Sequence, residues 1–460
     1  MTLVEPSHNL SLEELDRQSV FHPYTALADH LDKGVRVISE GEGVWVKDAE
    51  GKSYLDAVAG LWCVNIGYGR TEVADAIYEQ AKKLAYFHSF SSMGTEPSIR
   101  LADRLLRLAP DGMSKVLFGN TGSDANDTNV KLIWYYNSLR GKPKKVKLIA
   151  RQQAYHGVTV ASASLTGLPL LHKAFNLPIP EVLHVSCPDP YRGRPDGMTE
   201  REFSKQLAKE LDETIEREGP DTVGAFFAEP VMGAGGVHVP PEGYFDEIQP
   251  VLKKHDVLLV ADEVICGFGR LGRWFGSELY DIKPDIITIA KGLTSGYVPM
   301  SASLVGDKVW DLLIDTSKDI GPFGHGYTYG GHPVAAAAAM ANLDIIERDN
   351  LVDNAAEVGA YLQQRMRAAL SDHPLVGNVR GVGLILAIEF VADKSSKRSF
   401  EGADKMAPKV SQHAHETGLI ARPLPGGDII AISPPLSITK EEVDVVVEKL
   451  QAAVERAAKG

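Results

Sequence analysis

Cysteine is scarce. The 460 residues hold three, Cys63, Cys187 and Cys266, far apart and with no C-x-x-C pair. So sparse and odd a set excludes a disulfide framework and suits a reducing cytoplasm. Long apolar runs are also missing: the longest, Val334 to Met340, is Ala-rich and far too short to span a bilayer. Met1-Thr2-Leu3-Val4-Glu5-Pro6 lacks the basic and apolar regions of a secretory signal. Positive charge is in deficit, with 48 Lys+Arg against 61 Asp+Glu and a formal net charge of −13. That balance predicts neither a nucleic-acid partner nor an anionic membrane surface. The one basic stretch, Lys142 to Lys147, lies between a helical pattern and a strand and reads as a solvated connection. No H-E-x-x-H occurs. His413-Ala414-His415-Glu416 sets its histidines two apart on an expected helix, so they diverge and no metal is expected. Gly51-Lys52-Ser53 looks like a P-loop ending, but Val46 stands where the upstream glycine is required.

What is present is an ordinary globular composition, 44% hydrophobic with 43 Gly, long enough for two or three domains. Ser11-Leu12-Glu13-Glu14 predicts a capped helix start. Val44-Trp45-Val46 and Lys52 to Asp56 flank Asp48-Ala49-Glu50-Gly51 as a hairpin. From about residue 72, helical stretches alternate with short apolar strands at 115–118, 146–150, 223–228, 257–261 and 286–290. Continuously apolar strands separated by helices predict a mostly parallel sheet covered on both faces. His332-Pro333 opens a long helix, and a second runs from Asn354 to Leu370. A strand pair (376–380 and 384–390), Ile429 to Ile432 and a helix from Thr439 make a separate α+β tail. The expected division is an N-terminal segment 1–71, a large domain 72–335 and a small C-terminal domain 336–460.

Ligands of open parallel sheets bind beyond the carboxyl ends of the strands, and four such ends carry suggestive groups. Gly119 to Asn126 runs from a strand into a helix and exposes N–H groups suited to a phosphate; simple capping by Thr121 or Ser123 explains it equally well. Asp262-Glu263 follows an apolar run, where a carboxylate needs a partner. Lys291 follows another, where desolvation lowers an amine's pKa and makes it a nucleophile able to form a Schiff base. Glu229 follows a third. Pyridoxal 5′-phosphate uses the whole set: a lysine for its aldehyde, an acid for its pyridinium nitrogen, a phosphate cup, and an aromatic ring such as Tyr155 to stack on.

Val260 to Arg270, followed by Pro284-Asp285-Ile286 through Ala290-Lys291-Gly292-Leu293, resembles the signature of class III aminotransferases of fold type I. Thr121 to Asn126 is similar to that family's phosphate cup, although a glutamate is usual where Asp124 stands. Tyr155-His156-Gly157, Ala228-Glu229-Pro230 and Gly326-Tyr327-Thr328-Tyr329 also match. Ala59 to Asn65, Gly233 to Val237 and Arg422 point, within the family, to the ω-amino-acid and amine:pyruvate transaminases. The resemblance implies a large parallel-sheet domain and a smaller α+β domain built from both termini. It implies Lys291 as Schiff-base lysine and proton carrier and Asp262 on the pyridine nitrogen. Tyr155 and Val264 would flank the ring, with Glu229 in support and His156 beside it. Thr121, Gly122, Ser123, Tyr327 and, from a neighbouring subunit, Thr328 would surround the phosphate. Tyr24, Leu61, Trp62, Ala234 and the partner chain's Phe87 would wall a substrate pocket in which Arg422 holds a carboxylate. A homodimer with shared sites, or a tetramer, is implied, with an amine donor and a keto acid, pyruvate first, as substrates.

Other readings remain. A 2-oxoglutarate-dependent transaminase, or an aminomutase, racemase or decarboxylase, would keep the cofactor. Gly267-Phe268-Gly269-Arg270-Leu271-Gly272 fits G-x-G-x-x-G and would suit an NAD-dependent oxidoreductase, but Asp262 to Cys266 separate it from its strand and no convincing helix follows.

Overall fold

A computed structural model describes residues 10–459; the Met1 to Pro6 stretch read above lies outside them. Its centre is a seven-stranded sheet whose strands, in chain order, are β1 (Met113–Gly119), β2 (Lys147–Arg151), β3 (Val182–Val185), β4 (Val223–Ala228), β5 (Leu258–Asp262), β6 (Ile286–Ile289) and β7 (Ser301–Gly306). Their spatial order is β1-β7-β6-β5-β4-β2-β3. β4, β5, β6 and β7 are buried along their whole length, which is why their sequences read as continuous apolar or small-residue runs rather than alternating ones. β7 alone runs antiparallel, to β1 on one side and β6 on the other; the other pairings are parallel. β1, β2, β4, β5 and β6 therefore end on one edge.

Two smaller sheets complete the chain. Ile38–Glu42, Trp45–Asp48 and Ser53–Asp56 form an antiparallel set, closed by Leu419–Ile420 lying parallel to Ser53–Asp56. Both ends of the chain thus share a sheet, as expected for a small domain assembled from both. The other sheet joins Val376–Val382, Ile385–Phe390, Ile429–Ile432 and Arg422–Pro423. Ser11 and Glu14 form the expected capping box, and Thr439 caps the last helix, Lys440–Ala458. No helix among the described residues is long and apolar enough to cross a membrane.

Several expectations need correction. β3 and β7 were not anticipated: one is four residues long with a histidine inside it, the other carries two serines. The helix expected from Asn354 starts at Leu351. The basic stretch is not a solvated connection throughout, for Lys145 is buried and its ammonium donates to the carbonyls of His255 (2.9 Å) and Asp256 (3.0 Å). His415 likewise stacks on Tyr54, with ring centroids 4.3 Å apart, rather than standing in solvent.

Burial lowers the Lys145 pKa to about 8. A depressed lysine is neutral in the folded chain while still charged in the unfolded one between that value and the ordinary 10.5, so folding stability rises with pH across that window. Relative to Lys145→Met, the wild-type protein should gain stability from pH 8 to 10, with a limiting slope of roughly 1 kcal/mol per pH unit. Parallel denaturant titrations would show this as a widening gap between midpoints; a constant gap would contradict it.

Candidate active site

The edge where β1, β2, β4, β5 and β6 end holds a cavity lined by Gly122, Ser123, Tyr155, His156, Gly157, Glu229, Asp262, Val264, Ile265 and Lys291. Asp262 is the last residue of β5 and pairs in register with Thr288 of the adjacent β6; Lys291 follows β6 by two residues. The two groups thus reach one cavity from neighbouring parallel strands.

Asp262 is buried and held from three directions. His156 Nδ1 lies 2.8 Å from Oδ2, the Asn126 amide donates to Oδ2 at 2.8 Å, and the Val264 N–H donates to Oδ1 at 3.1 Å. Behind it, Asn126 also donates to the His156 carbonyl (2.7 Å) and accepts from the Thr288 hydroxyl (2.8 Å), which in turn accepts from Asn129 (2.8 Å). With Thr288 donating to its oxygen, Asn126 must turn its NH2 toward Asp262. The carboxylate is fixed by donors and its orientation is set before any ligand arrives. Glu263, named beside it in the sequence, faces elsewhere. It accepts from the N–H groups of Gly276 (2.9 Å) and Ser277 (2.6 Å) and from the Ser277 hydroxyl, and burial raises its pKa to about 7.

Lys291 has a backbone φ of 45°, a left-handed conformation that costs an L-residue roughly 1 kcal/mol or more. Tyr24 and Trp62 share it, at φ 54° and 60°. Burial pulls the Lys291 pKa below the ordinary lysine range, opposed in part by nearby Asp262 and Glu229. Glu229 is buried, its carboxylate accepting from the N–H groups of Tyr155 (3.1 Å) and Gly233 (2.9 Å), and burial raises its pKa.

The helix Gly122–Leu139 starts at the cavity. The capping reading holds for Thr121, whose hydroxyl accepts from the Asp124 N–H while the Asp124 carboxylate accepts from the N–H groups of Asn120 and Thr121. Thr121 thus caps the helix while keeping its own hydroxyl proton free. The Ser123 hydroxyl oxygen accepts from the Val158 N–H, which leaves its proton free. The N–H groups of Gly122 and Ser123 have no acceptor among the described residues. A Cβ on Gly157, at φ 137°, would stand 2.6 Å from the Ser123 hydroxyl and 2.9 Å from its Cα; one on Gly122 would come within 3.1 Å of Val264. These two glycines keep the helix tip open. Free amides at the positive end of an 18-residue helix fit a phosphate. The fixed carboxylate fits a protonated pyridine nitrogen, and the amine fits an aldehyde. Together they match pyridoxal 5′-phosphate.

At the mouth, the Tyr24 and Tyr155 hydroxyls lie 3.3 Å apart. The Arg422 guanidinium carbon lies 5.5 Å from the centroid of Trp62. Arg422 pairs with no carboxylate among the described residues, and burial lowers its pKa. Trp62 is buried, and its indole N–H has no acceptor among the described residues. Ala234 is buried in the apolar cluster behind Trp62 and Ile265. Four named residues are not brought to the cavity in one chain. Leu61, Phe87 and Thr328 are exposed, and the Tyr327 hydroxyl donates to the Asp124 carbonyl (3.0 Å), bracing the helix rather than reaching the cavity. Sequence reasoning missed Asn126, Asn129 and Thr288 as site residues. A readable signal existed, since Thr288 is the one hydroxyl in an otherwise apolar run and a buried hydroxyl must find a partner.

The G-x-G-x-x-G run opens no helix. Arg270 within it is buried and donates to the carbonyls of Leu384 (3.0 Å) and Pro434 (2.5 Å) and to Asn65 (2.9 Å), tying the loop to the C-terminal part. Its job is structural, which removes the nucleotide reading.

The aminotransferase class-III family model matches residues 27–454. A diaminobutyrate–2-oxoglutarate transaminase of Halomonas elongata is 53% identical over 449 residues, 97% of this chain and 96% of that protein. A solved structure from work on transaminases made by ancestral reconstruction superposes with a TM-score of 0.96 at 56% identity, covering 97% of this chain and 98% of the other. The ω-transaminase of Pseudomonas jessenii, solved in complex with PMP, superposes at 0.95 with 46% identity over 98% and 99% of the two chains.

Proposed function

Because the chain belongs to the class-III aminotransferases and works with pyridoxal 5′-phosphate, we propose that it passes the amino group of an ω-amino acid, primary amine or diamine to pyruvate, the two substrates using one pocket in turn. The observation that carries this is Arg422. Apart from Lys291 it is the cation at the cavity mouth without a carboxylate partner among the described residues, and it rests on the face of Trp62 beside Tyr24 and Tyr155. A single guanidinium grips one carboxylate bidentately, while aromatic walls accept an amine that has none. A keto acid with a second carboxylate wants a second fixed cation. Arg270 is fully buried and bound to two carbonyls and Asn65, out of a substrate's reach, and Arg380 is paired with Glu389 and bound to the Gly236 carbonyl. A 2-oxoglutarate-dependent reading is favoured by one finding, the activity named for the Halomonas relative.

The roles follow from position. The Gly122 and Ser123 amides and the Ser123 hydroxyl would hold the phosphate, Asp262 the ring nitrogen, and Tyr155 and Val264 the ring faces. The cofactor supplies an electron sink that makes the C–H bond beside the substrate nitrogen acidic. Lys291, with a lowered pKa, would carry that proton from the substrate carbon to the cofactor's C4′ position in the first half-reaction and would carry one from there to the keto acid's C2 in the second. Asp262, fixed by three donors, keeps the ring nitrogen protonated. Arg422 orients the keto acid through its carboxylate. Leu61, Phe87 and Thr328 complete the site in a homodimer, an arrangement supported by their exposure in a single chain. The sparse free cysteines suit a cytoplasmic enzyme.

A panel of donors and acceptors on purified enzyme tests the assignment. Pyruvate should outrun 2-oxoglutarate with β-alanine, diamine and aryl-alkyl amine donors. If 2-oxoglutarate is faster by tenfold, the acceptor assignment falls and the cofactor assignment stands. Product formed without any keto acid would point to an aminomutase or decarboxylase. Arg422→Leu should raise the KM for pyruvate by roughly ten- to a hundredfold, the size of a lost charge-assisted contact. Its half-reaction with an aryl-alkyl amine should change little; equal loss with both substrates would remove Arg422 from carboxylate recognition.

A further inference from the structure

A second cavity, of about 370 Å³, opens where the loop after β3 meets the strand Val376–Val382. In a chain of net charge −13 its lining is unexpectedly cationic: Arg194, Arg367, Arg380 and Lys397 face only Asp189 and Glu200. Arg380 is matched, since it pairs with Glu389 at 2.5 Å, and Asp189 sits 3.6 Å from His238. The other three cations have no carboxylate partner among the described residues. Each is instead held by a main-chain carbonyl: Arg194 by that of Met198, Arg367 by Val379 at 3.4 Å, and Lys397 by Tyr191 at 2.8 Å. Carbonyls fix the side chains without neutralising them. Arg194 Nε is buried and has no acceptor among the described residues.

We propose that this cavity is a binding site for a small oxyanion of charge −2, a phosphate group or a dicarboxylate, held by Arg194, Arg367 and Lys397. Two guanidinium forks and an ammonium suit such a ligand better than a monoanion, because planar forks bind paired oxygens bidentately. The walls come from two different sheets, so a bound ligand would bridge them. Arg380, in the same wall, donates twice to the Gly236 carbonyl, at 2.9 and 2.7 Å, which sets the site one side chain away from the loop behind Trp62. This site is separate from the cofactor's phosphate cup, with which it shares no lining residue.

The test is calorimetric titration of the holoenzyme, whose cup is filled, with inorganic phosphate and, separately, with succinate. We expect saturable binding of at least one of them, at one per chain, weakening as NaCl is raised. Which anion binds more tightly decides between a phosphoryl and a dicarboxylate ligand. Arg194→Gln/Arg367→Gln should weaken binding roughly tenfold or more, the equivalent of one charge-assisted hydrogen bond. Arg273→Gln, which removes one positive charge from an exposed site elsewhere, should not. Should the double variant fold poorly, Lys397→Gln alone should weaken binding several-fold. No saturable binding of either anion, binding untouched by the cavity variants, or equal weakening by Arg273→Gln would each overturn the proposal. Because succinate can also meet Arg422, its arm is repeated in Arg422→Leu, where cavity binding should persist; its disappearance there would assign that signal to the active site and leave phosphate as the deciding anion.

Discussion

Lys291→Ala should lose transamination by at least about a thousandfold, together with the visible absorption of a lysine-linked pyridoxal, while keeping its fold. Two roles disappear at once. The amine attaches the cofactor, and it shuttles the proton at the reacting carbon, a task worth 10²- to 10⁴-fold by itself. The fold should tolerate the change because Lys291 forms no ion pair among the described residues, and alanine can adopt the same φ of 45° at a similar cost. Stopped-flow half-reactions and a thermal melt check both halves of the expectation. A variant retaining a few per cent of activity would contradict the assignment.

Asp262→Asn should reduce the rate of the amine half-reaction by 10²- to 10³-fold, the scale seen when one preorganised electrostatic contact is removed, and should weaken cofactor retention. The substitution keeps shape but not donor–acceptor balance. His156 Nδ1, the Asn126 amide and the Val264 N–H all converge on the present carboxylate. An asparagine amide would present NH2 to at least one of those donors, leaving a buried clash or an unpaired group worth about 1–3 kcal/mol of stability. Equilibrium dialysis of the cofactor and denaturant unfolding of the apoenzyme separate the two effects. Unchanged half-reaction kinetics would take Asp262 away from the ring nitrogen.

The sheet and its chemistry were legible for the same reason. Strands buried on both faces must be apolar, so Val223–Ala228, Leu258–Asp262 and Ile286–Ile289 stand out, and the polar residue closing each run marks the ligand-facing edge. β7 was not legible, because Ser301-Ala302-Ser303 carries little hydrophobic signal and its place between β1 and β6 depends on distant partners. Of the site, Lys291, Asp262 and the helix tip could be read as positions, whereas the Asn129–Thr288–Asn126 chain depends on which side chains meet across three elements. The adjacent acids Asp262 and Glu263 are equivalent in composition, and only the fold shows that one meets the cavity while the other caps a turn. Lys145 misled for a similar reason: its charge suggested solvent, but carbonyls from His255 and Asp256 close over it.

Everything rests on the cofactor being attached at Lys291, opposite Asp262. Borohydride reduction of the holoenzyme, followed by proteolysis and mass spectrometry, reads that attachment directly. The pyridoxyl group should be found on the peptide containing Ala290-Lys291-Gly292, with every other lysine unmodified; its recovery on any other lysine would contradict the account.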